Sequence, residues 1–95
     1  MALFAINALH QQNGYVTRVR WGLVDPLQET WLSDPEEADV LDVLNALRAG
    51  HTVCVNLARD GSVVPGDPVH QTAVSGMQSI ATEDEDPSLH GLPRF

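Results

Sequence analysis

Lysine is absent from this sequence, and cysteine occurs once. Five arginines supply all of the basic side chains against thirteen aspartates and glutamates, which gives a formal net charge of -8 at pH 7. Nucleic acids and anionic membrane surfaces are bound by clusters of basic residues, because their phosphate groups are negatively charged. We therefore expect neither a nucleic acid nor a membrane as a partner.

The single cysteine, Cys54, cannot form a disulfide within the chain, which is typical of proteins from a reducing compartment. No apolar run approaches the roughly 18 residues of a membrane-spanning helix, and the first residues lack the positive charge of a secretory signal. The 95 residues are 43% hydrophobic, which is enough for one folded domain. We expect a cytoplasmic protein with a single domain over residues 1–82.

The first half of the chain predicts a β-hairpin. Residues 2–10 and 15–24 are rich in apolar side chains, and the Asn13-Gly14 pair between them favours a tight type I′ turn. A two-residue loop predicts three apolar pairs on one face of the sheet: Phe4 with Leu23, Ile6 with Trp21, and Ala8 with Val19. The second face would then carry Asn7 opposite Arg20 and Leu9 opposite Arg18. A short strand at 29–32 follows.

A helix is predicted over residues 35–49. Asp34 is a suitable N-cap, Pro35 fits the first helical position, and Glu37 follows three residues after the cap. Gly50 is a typical C-terminal stop. The stripe that would face the sheet comprises Val40, Leu41, Val43, Leu44 and Leu47.

The second half predicts a strand over 51–59, a turn at Asp60-Gly61, and a short return strand over 62–64 that Pro65 interrupts. Residues 69–82 form either one strand with a bulge at Gly76 or two short strands. The acidic segment 83–95 is expected to be a disordered tail. The order β-β-α-β-β predicts an α+β fold, in which one helix packs on a four- or five-stranded, mainly antiparallel sheet. The second sheet face would be exposed or covered by a partner.

Catalytic signatures such as a nucleophile elbow or a glycine-rich phosphate loop are absent from the sequence, so we expect a non-catalytic protein without cofactor. A metal or small-molecule site near His51, Cys54 and His70 is an alternative. Within a strand, however, residues three apart point to opposite faces, and a cysteine between two valines is typical of a buried, inert thiol.

Two surfaces are candidates for binding an unknown protein partner, with the chain itself a monomer or weak homodimer. The first mixes arginine with apolar side chains, as protein interfaces do, and comprises Asn7, Leu9, Arg18, Arg20 and Trp31. The second is an acidic surface that could imitate nucleic acid and bind a basic protein, and it comprises Glu83, Asp84, Glu85, Asp86 and the carboxylates of the helix. The simpler explanations are that the arginines pair with local carboxylates and that the acids maintain solubility.

Several segments resemble a family of small bacterial domains of unknown function. They are Gly14-Tyr15-Val16, Val19-Arg20-Trp21, the Glu36–Leu47 region followed by Gly50 and Val53, and Gly76-Met77-Gln78-Ser79-Ile80. The resemblance covers residues 5–82 and implies a compact cytoplasmic α+β domain. It implies no catalytic residue, cofactor or substrate.

Overall fold

A computed structural model describes residues 2–12, 15–58, 60–74, 77–82 and 92–95. The elements are β1 (Leu3–Gln12), β2 (Tyr15–Asp25), β3 (Thr30–Trp31), β4 (Glu36–Asp39), α1 (Val40–Arg48), β5 (Thr52–Asn56), β6 (Pro65–Val74) and β7 (Met77–Thr82). The sheet runs β3-β2-β1-β5-β6-β7, and β4 pairs with the same edge of β2 as β3. Of the strand pairs, β1–β5 is parallel and the rest are antiparallel. The predicted α+β class is confirmed, although with more strands than the four or five expected.

The β1–β2 hairpin keeps the predicted register at its ends and departs from it in the middle. Phe4 pairs with Leu23 and Ile6 with Trp21, as expected. Asn7 in β1 and Thr17 in β2 are each an extra, unpaired residue, so the two bulges shift the register by one and then restore it. Between the bulges Ala8 pairs with Arg20, Leu9 with Val19 and His10 with Arg18, and the predicted pairs of Asn7, Ala8 and Leu9 are wrong.

One face of the sheet, here called the helix face, holds the main hydrophobic cluster beneath α1. From the sheet it contains Ile6, Leu9, Val19, Trp21, Val53 and Val55, and from the helix Val40, Val43 and Leu44. Phe4 packs against the cluster and stacks on Trp21 with ring centroids 4.4 Å apart. Leu41, predicted to face the sheet, is exposed instead.

The second face is partly covered by the chain's own loops. A smaller cluster there contains Ala5, Val24, Cys54 and Val63, with Leu3 and Trp31 packed against it. The expectation of a second face left exposed or covered only by a partner is therefore wrong at this end of the sheet. A 95-residue chain thus builds hydrophobic contacts on both sides of its sheet.

The helix begins at Val40, five residues later than predicted. Asp39 is its N-cap, with its side chain accepting from the N–H of Leu41, and Asp42 accepts from the N–H of Asp39 to complete a capping box. Residues 36–39 form β4 because their backbone pairs with β2 along residues 18–21. The helix ends at Arg48 with Ala49 as its C-cap, and Gly50 follows as the predicted stop with a φ of 88°, which suits glycine.

The connection between β5 and β6 is a loop over residues 57–64, fixed by the side chain of Asn56. Asn56 is almost fully buried, and its Nδ2 donates to Asn7 Oδ1 at 3.2 Å and to the carbonyl of Ser62 at 3.1 Å. Its Oδ1 accepts from the backbone N–H groups of Ala58 and Val64. The predicted return strand at 62–64 is therefore part of a loop, and β6 starts at Pro65.

The last part of the fold divides the predicted strand 69–82 in two. β6 and β7 form an antiparallel hairpin in which Val74 pairs with Met77, so the two-strand alternative is confirmed. Of the predicted disordered tail, residues 83–91 lie outside the described residues. Residues 92–95 are placed against β1 through an isolated parallel bridge between Leu9 and Arg94, so the prediction of disorder is wrong for these four residues.

Replacing Asn56 with alanine should lower the free energy of unfolding by about 2–4 kcal/mol, because it removes four hydrogen bonds of a buried carboxamide and leaves two backbone N–H groups and a carbonyl of the loop without their partner. Chemical denaturation followed by circular dichroism measures the change. Asn45→Ala, an exposed position on α1, is the matched control and should change stability by less than about 0.5 kcal/mol. Equal stability of the two variants would contradict the role given to Asn56.

Candidate functional site

The two arginines of the predicted interaction surface lie on the second face, beside carboxylates from β4. The β2–β4 pairing places Asp39 opposite Arg18 and Glu37 opposite Arg20. Arg18 Nε lies 3.1 Å from Glu37 Oε1, with both side chains about half exposed. An exposed pair of this kind contributes roughly 0–1 kcal/mol to stability. Arg18 is thus paired locally, as the simpler explanation of the arginines requires.

Arg20 is engaged by the segment at residues 92–95. Its guanidinium carbon lies 5.0 Å from the centre of the Phe95 ring, a distance suited to a cation–π contact. The ring of His10 lies 5.8 Å from the same phenylalanine, and His10 Nδ1 donates to the main-chain oxygen of Phe95. His10 and Arg20 therefore form a platform for one aromatic side chain.

Two other residues of that predicted surface, Leu9 and Asn7, make contacts within the chain. Leu9 is completely buried in the main cluster, because the bulge at Asn7 turns its side chain to the helix face. Asn7 itself accepts a hydrogen bond from Asn56. The prediction that Leu9 belongs to an exposed surface is therefore wrong, and the cause is one extra residue in β1.

Trp31, the last residue of that surface, covers the second face. A Cβ added at Gly22 would lie 3.0 Å from the Trp31 ring, so the indole packs directly on the backbone of β2. Trp31 Nε1 donates to the carbonyl of Gly61 at 3.2 Å. The indole is only partly exposed and connects the 26–33 segment to the 57–64 loop.

The exposed apolar side chains are concentrated on these same two segments. Among the described residues, five large apolar side chains are exposed, and four of them are Leu27, Leu32, Leu57 and Val64. Leu27 is 92% exposed and Leu32 is 63% exposed, while Leu57 and Val64 are about half exposed. We call these four residues the loop surface. The sequence does not indicate this surface, because leucine and valine normally occupy core positions.

The turn that presents Leu27 has a defined structure. Asp25 Oδ1 accepts from the N–H groups of Leu27 and Gln28, and the Asp25 carbonyl accepts from the N–H of Glu29 at 2.8 Å. Glu29 has a φ of 55°, in the left-handed region that few non-glycine residues occupy. Asp25 and Pro26 were the available sequence signal for this turn.

The residues of the possible metal or small-molecule site are separated by the sheet. His51 accepts from the N–H of Ala2 at 2.9 Å and lies edge-on to Phe4, which packs on the helix-face cluster. Cys54 lies in the cluster on the second face and donates to the carbonyl of Phe4 at 3.3 Å. His70 is exposed on β6. The described residues contain no group of three or more histidine, cysteine, aspartate or glutamate side chains placed to hold a metal.

Only part of the acidic candidate surface lies among the described residues. Glu83, Asp84, Glu85 and Asp86 lie outside the described residues. Of the carboxylates near the helix start, Asp39 and Asp42 are engaged in the capping box and Glu37 in the pair with Arg18. Glu36 is an exposed residue on β4, next to these groups.

No family model, no curated protein and no solved structure matches this chain. The resemblance to a bacterial domain family therefore stays a prediction. In the described part of the chain, α1 is nine residues long, and no helix has the length and apolar character needed to cross a membrane.

Cys54 should be inert toward thiol reagents in the folded protein. Burial raises the pKa of this thiol above its ordinary value, which lowers the fraction of reactive thiolate, and the side chain is also inaccessible. Ellman's reagent at pH 8 should react with Cys54 only as fast as the protein opens or unfolds. The control is a Cys54→Ala chain carrying Gln28→Cys at an exposed position, whose thiol should react at once. Equally fast reaction of both thiols would contradict the placement of Cys54.

Proposed function

We propose that this chain is a small, non-catalytic protein-binding module that contacts its partner through the loop surface of Leu27, Leu32, Leu57 and Val64. The observation that supports the proposal is the concentration of exposed large apolar side chains on two segments that Trp31 joins. Single exposed leucines are common on protein surfaces, whereas several on adjoining loops are typical of a contact site.

The conformation of both segments favours binding, because a contact surface that is already ordered loses less entropy when a partner binds. Asp25 fixes the turn before Leu27, and Asn56 fixes the loop that carries Val64. In the 57–64 loop, the hydroxyl and N–H of Ser62 also donate to Asp60, and these hydrogen bonds lower the pKa of that carboxyl. Both segments are thus held by side chain to backbone hydrogen bonds.

The surface first suggested by the sequence has less support. Leu9 is buried, Arg18 is paired with Glu37, and Arg20 lies against Phe95. Such contacts reduce what these side chains can offer a partner, since a paired charge must lose its present contact first. Trp31 belongs to both proposals, because it connects the 26–33 segment to the 57–64 loop.

The double variant Leu27→Ser, Leu32→Ser should bind its partner at least about tenfold more weakly, since burial of one leucine side chain contributes about 1.5–3 kcal/mol. The measurement is affinity capture from lysate of the native cells, followed by titration of the captured protein. Leu41→Ser removes a leucine from α1 that is 55% exposed and should leave binding unchanged. Unchanged binding in the double variant, or equal loss in Leu41→Ser, would contradict the proposal.

A second candidate function is the binding of a basic protein by the acidic surface. The observation that favours it is β4, which aligns Glu36, Glu37 and Asp39 along one edge of the sheet next to the helix start. Aligned carboxylates attract basic partners and raise the rate of association.

This candidate predicts binding that depends strongly on salt. Raising NaCl from 0.1 M to about 1 M shortens the screening length from about 10 Å to about 3 Å and should release the partner. Replacing Glu83, Asp84, Glu85 and Asp86 with their amides should weaken binding while leaving residues 92–95 in place. Binding that persists at high salt and is lost in the Leu27 and Leu32 variant would instead support the loop surface.

A further inference from the structure

The edge of β1 has two different neighbours along its length. β5 pairs with residues 3–6 of β1 and ends at Asn56. Beyond that point Leu9 is fully buried, so its backbone N–H and C=O need partners other than water. Residues 92–95 supply them: Leu9 N–H donates to the carbonyl of Pro93 at 2.8 Å, and Phe95 N–H donates to the carbonyl of Leu9 at 2.9 Å.

The side chains of this segment occupy two separate sites. Leu92 is almost completely buried in the main cluster, which lies between the helix face of the sheet and α1. Phe95 lies on the platform of His10 and Arg20. Between them, Pro93 and Arg94 are exposed, and Arg94 Nε donates to Gln11 Oε1 at 3.2 Å.

This arrangement is that of a bound peptide. An extended peptide that adds a strand to a sheet edge gains affinity from main-chain hydrogen bonds, and specificity from pockets for alternate side chains. We propose that the β1 edge around Leu9, with the Leu92 site and the His10–Arg20 platform, binds an extended protein segment of the form apolar-x-x-aromatic. The chain's own residues 92–95 are the resident occupant of this site.

The hydrogen-bond pattern sets the requirements on such a segment. The residue in the place of Pro93 only has to accept a hydrogen bond through its carbonyl, so proline is allowed there. The residue in the place of Phe95 has to donate its N–H, so proline or an N-methylated residue is excluded there. The residue in the place of Arg94 is exposed, and a side chain that donates to Gln11 suits it. This site is independent of the loop surface.

The occupant and a competing peptide differ in effective concentration. A segment tethered to its site binds as if it were present at about millimolar concentration, so a free peptide competes poorly with the unmodified chain. Weakening the tethered segment by substitution should therefore reveal the site to a free peptide.

The test uses the full-length chain and an acetylated, amidated peptide of sequence GLPRF. In a Phe95→Ala chain labelled with ¹⁵N, the peptide should shift the amide signals of Leu9 and His10 in a saturable way. The unmodified chain should bind it at least roughly tenfold more weakly. The same peptide with N-methylphenylalanine at its last residue should not bind, because it lacks the N–H that donates to Leu9.

A second variant, Leu92→Asp, is used if Phe95→Ala weakens the contact of residues 92–95 with β1 too little. If this chain is destabilised, the GLPRF peptide should raise its Tm, since a ligand of the folded state stabilises it. Absence of binding to both folded variants, no rise in Tm, or equal binding of the N-methylated peptide would overturn the proposal. Leu27→Ser, Leu32→Ser should leave peptide binding unchanged, which separates this site from the loop surface.

Discussion

The carboxamide of Asn56 connects parts of the fold that are distant in sequence. It is almost fully buried at the end of β5, and it bonds both to the bulge residue Asn7 in β1 and to the backbone of the 57–64 loop. That loop carries Val63 onto the second face and Gly61 to the indole of Trp31. A buried amide whose hydrogen bonds are satisfied fixes one arrangement, because any other arrangement leaves polar groups unpaired. The 57–64 half of the loop surface, and the contact of Val63 with the second face, depend on this side chain.

The sequence predicted those parts of the fold that depend on residues close together in the chain. The Asn13-Gly14 signal and the apolar pairs gave the register at both ends of the β1–β2 hairpin, and Gly50 gave the end of the helix. The start of the helix was wrong because both Asp34 and Asp39 are followed three residues later by an acid and so satisfy capping chemistry. Pairing of residues 36–39 with β2 decides between them, and that contact is tertiary.

The candidate site was harder to predict, because exposure of a side chain depends on the whole fold. Leu9 and Leu27 have the same side chain, yet one is fully buried and the other is 92% exposed. The difference for Leu9 is the bulge at Asn7, which nothing in the alternating pattern of β1 indicates. Residues 92–95 were predicted as part of a tail because Leu9, with which Arg94 pairs, lies near the opposite end of the sequence. Their position follows from the edge of β1 beyond residue 6, where β5 no longer pairs.

The position of β4 gives the negative charge of the chain a further consequence. An open sheet can grow by adding another molecule's strand at its edge, and this is a common start of aggregation. β4 is only four residues long, follows Pro35, and carries Glu36, Glu37 and Asp39. Two copies meeting edge to edge at β4 would bring the carboxylates of Glu36 and Asp39 close to the same groups of the other copy, and like charges repel. The acidic residues of β4 therefore oppose the pairing of this strand between two molecules.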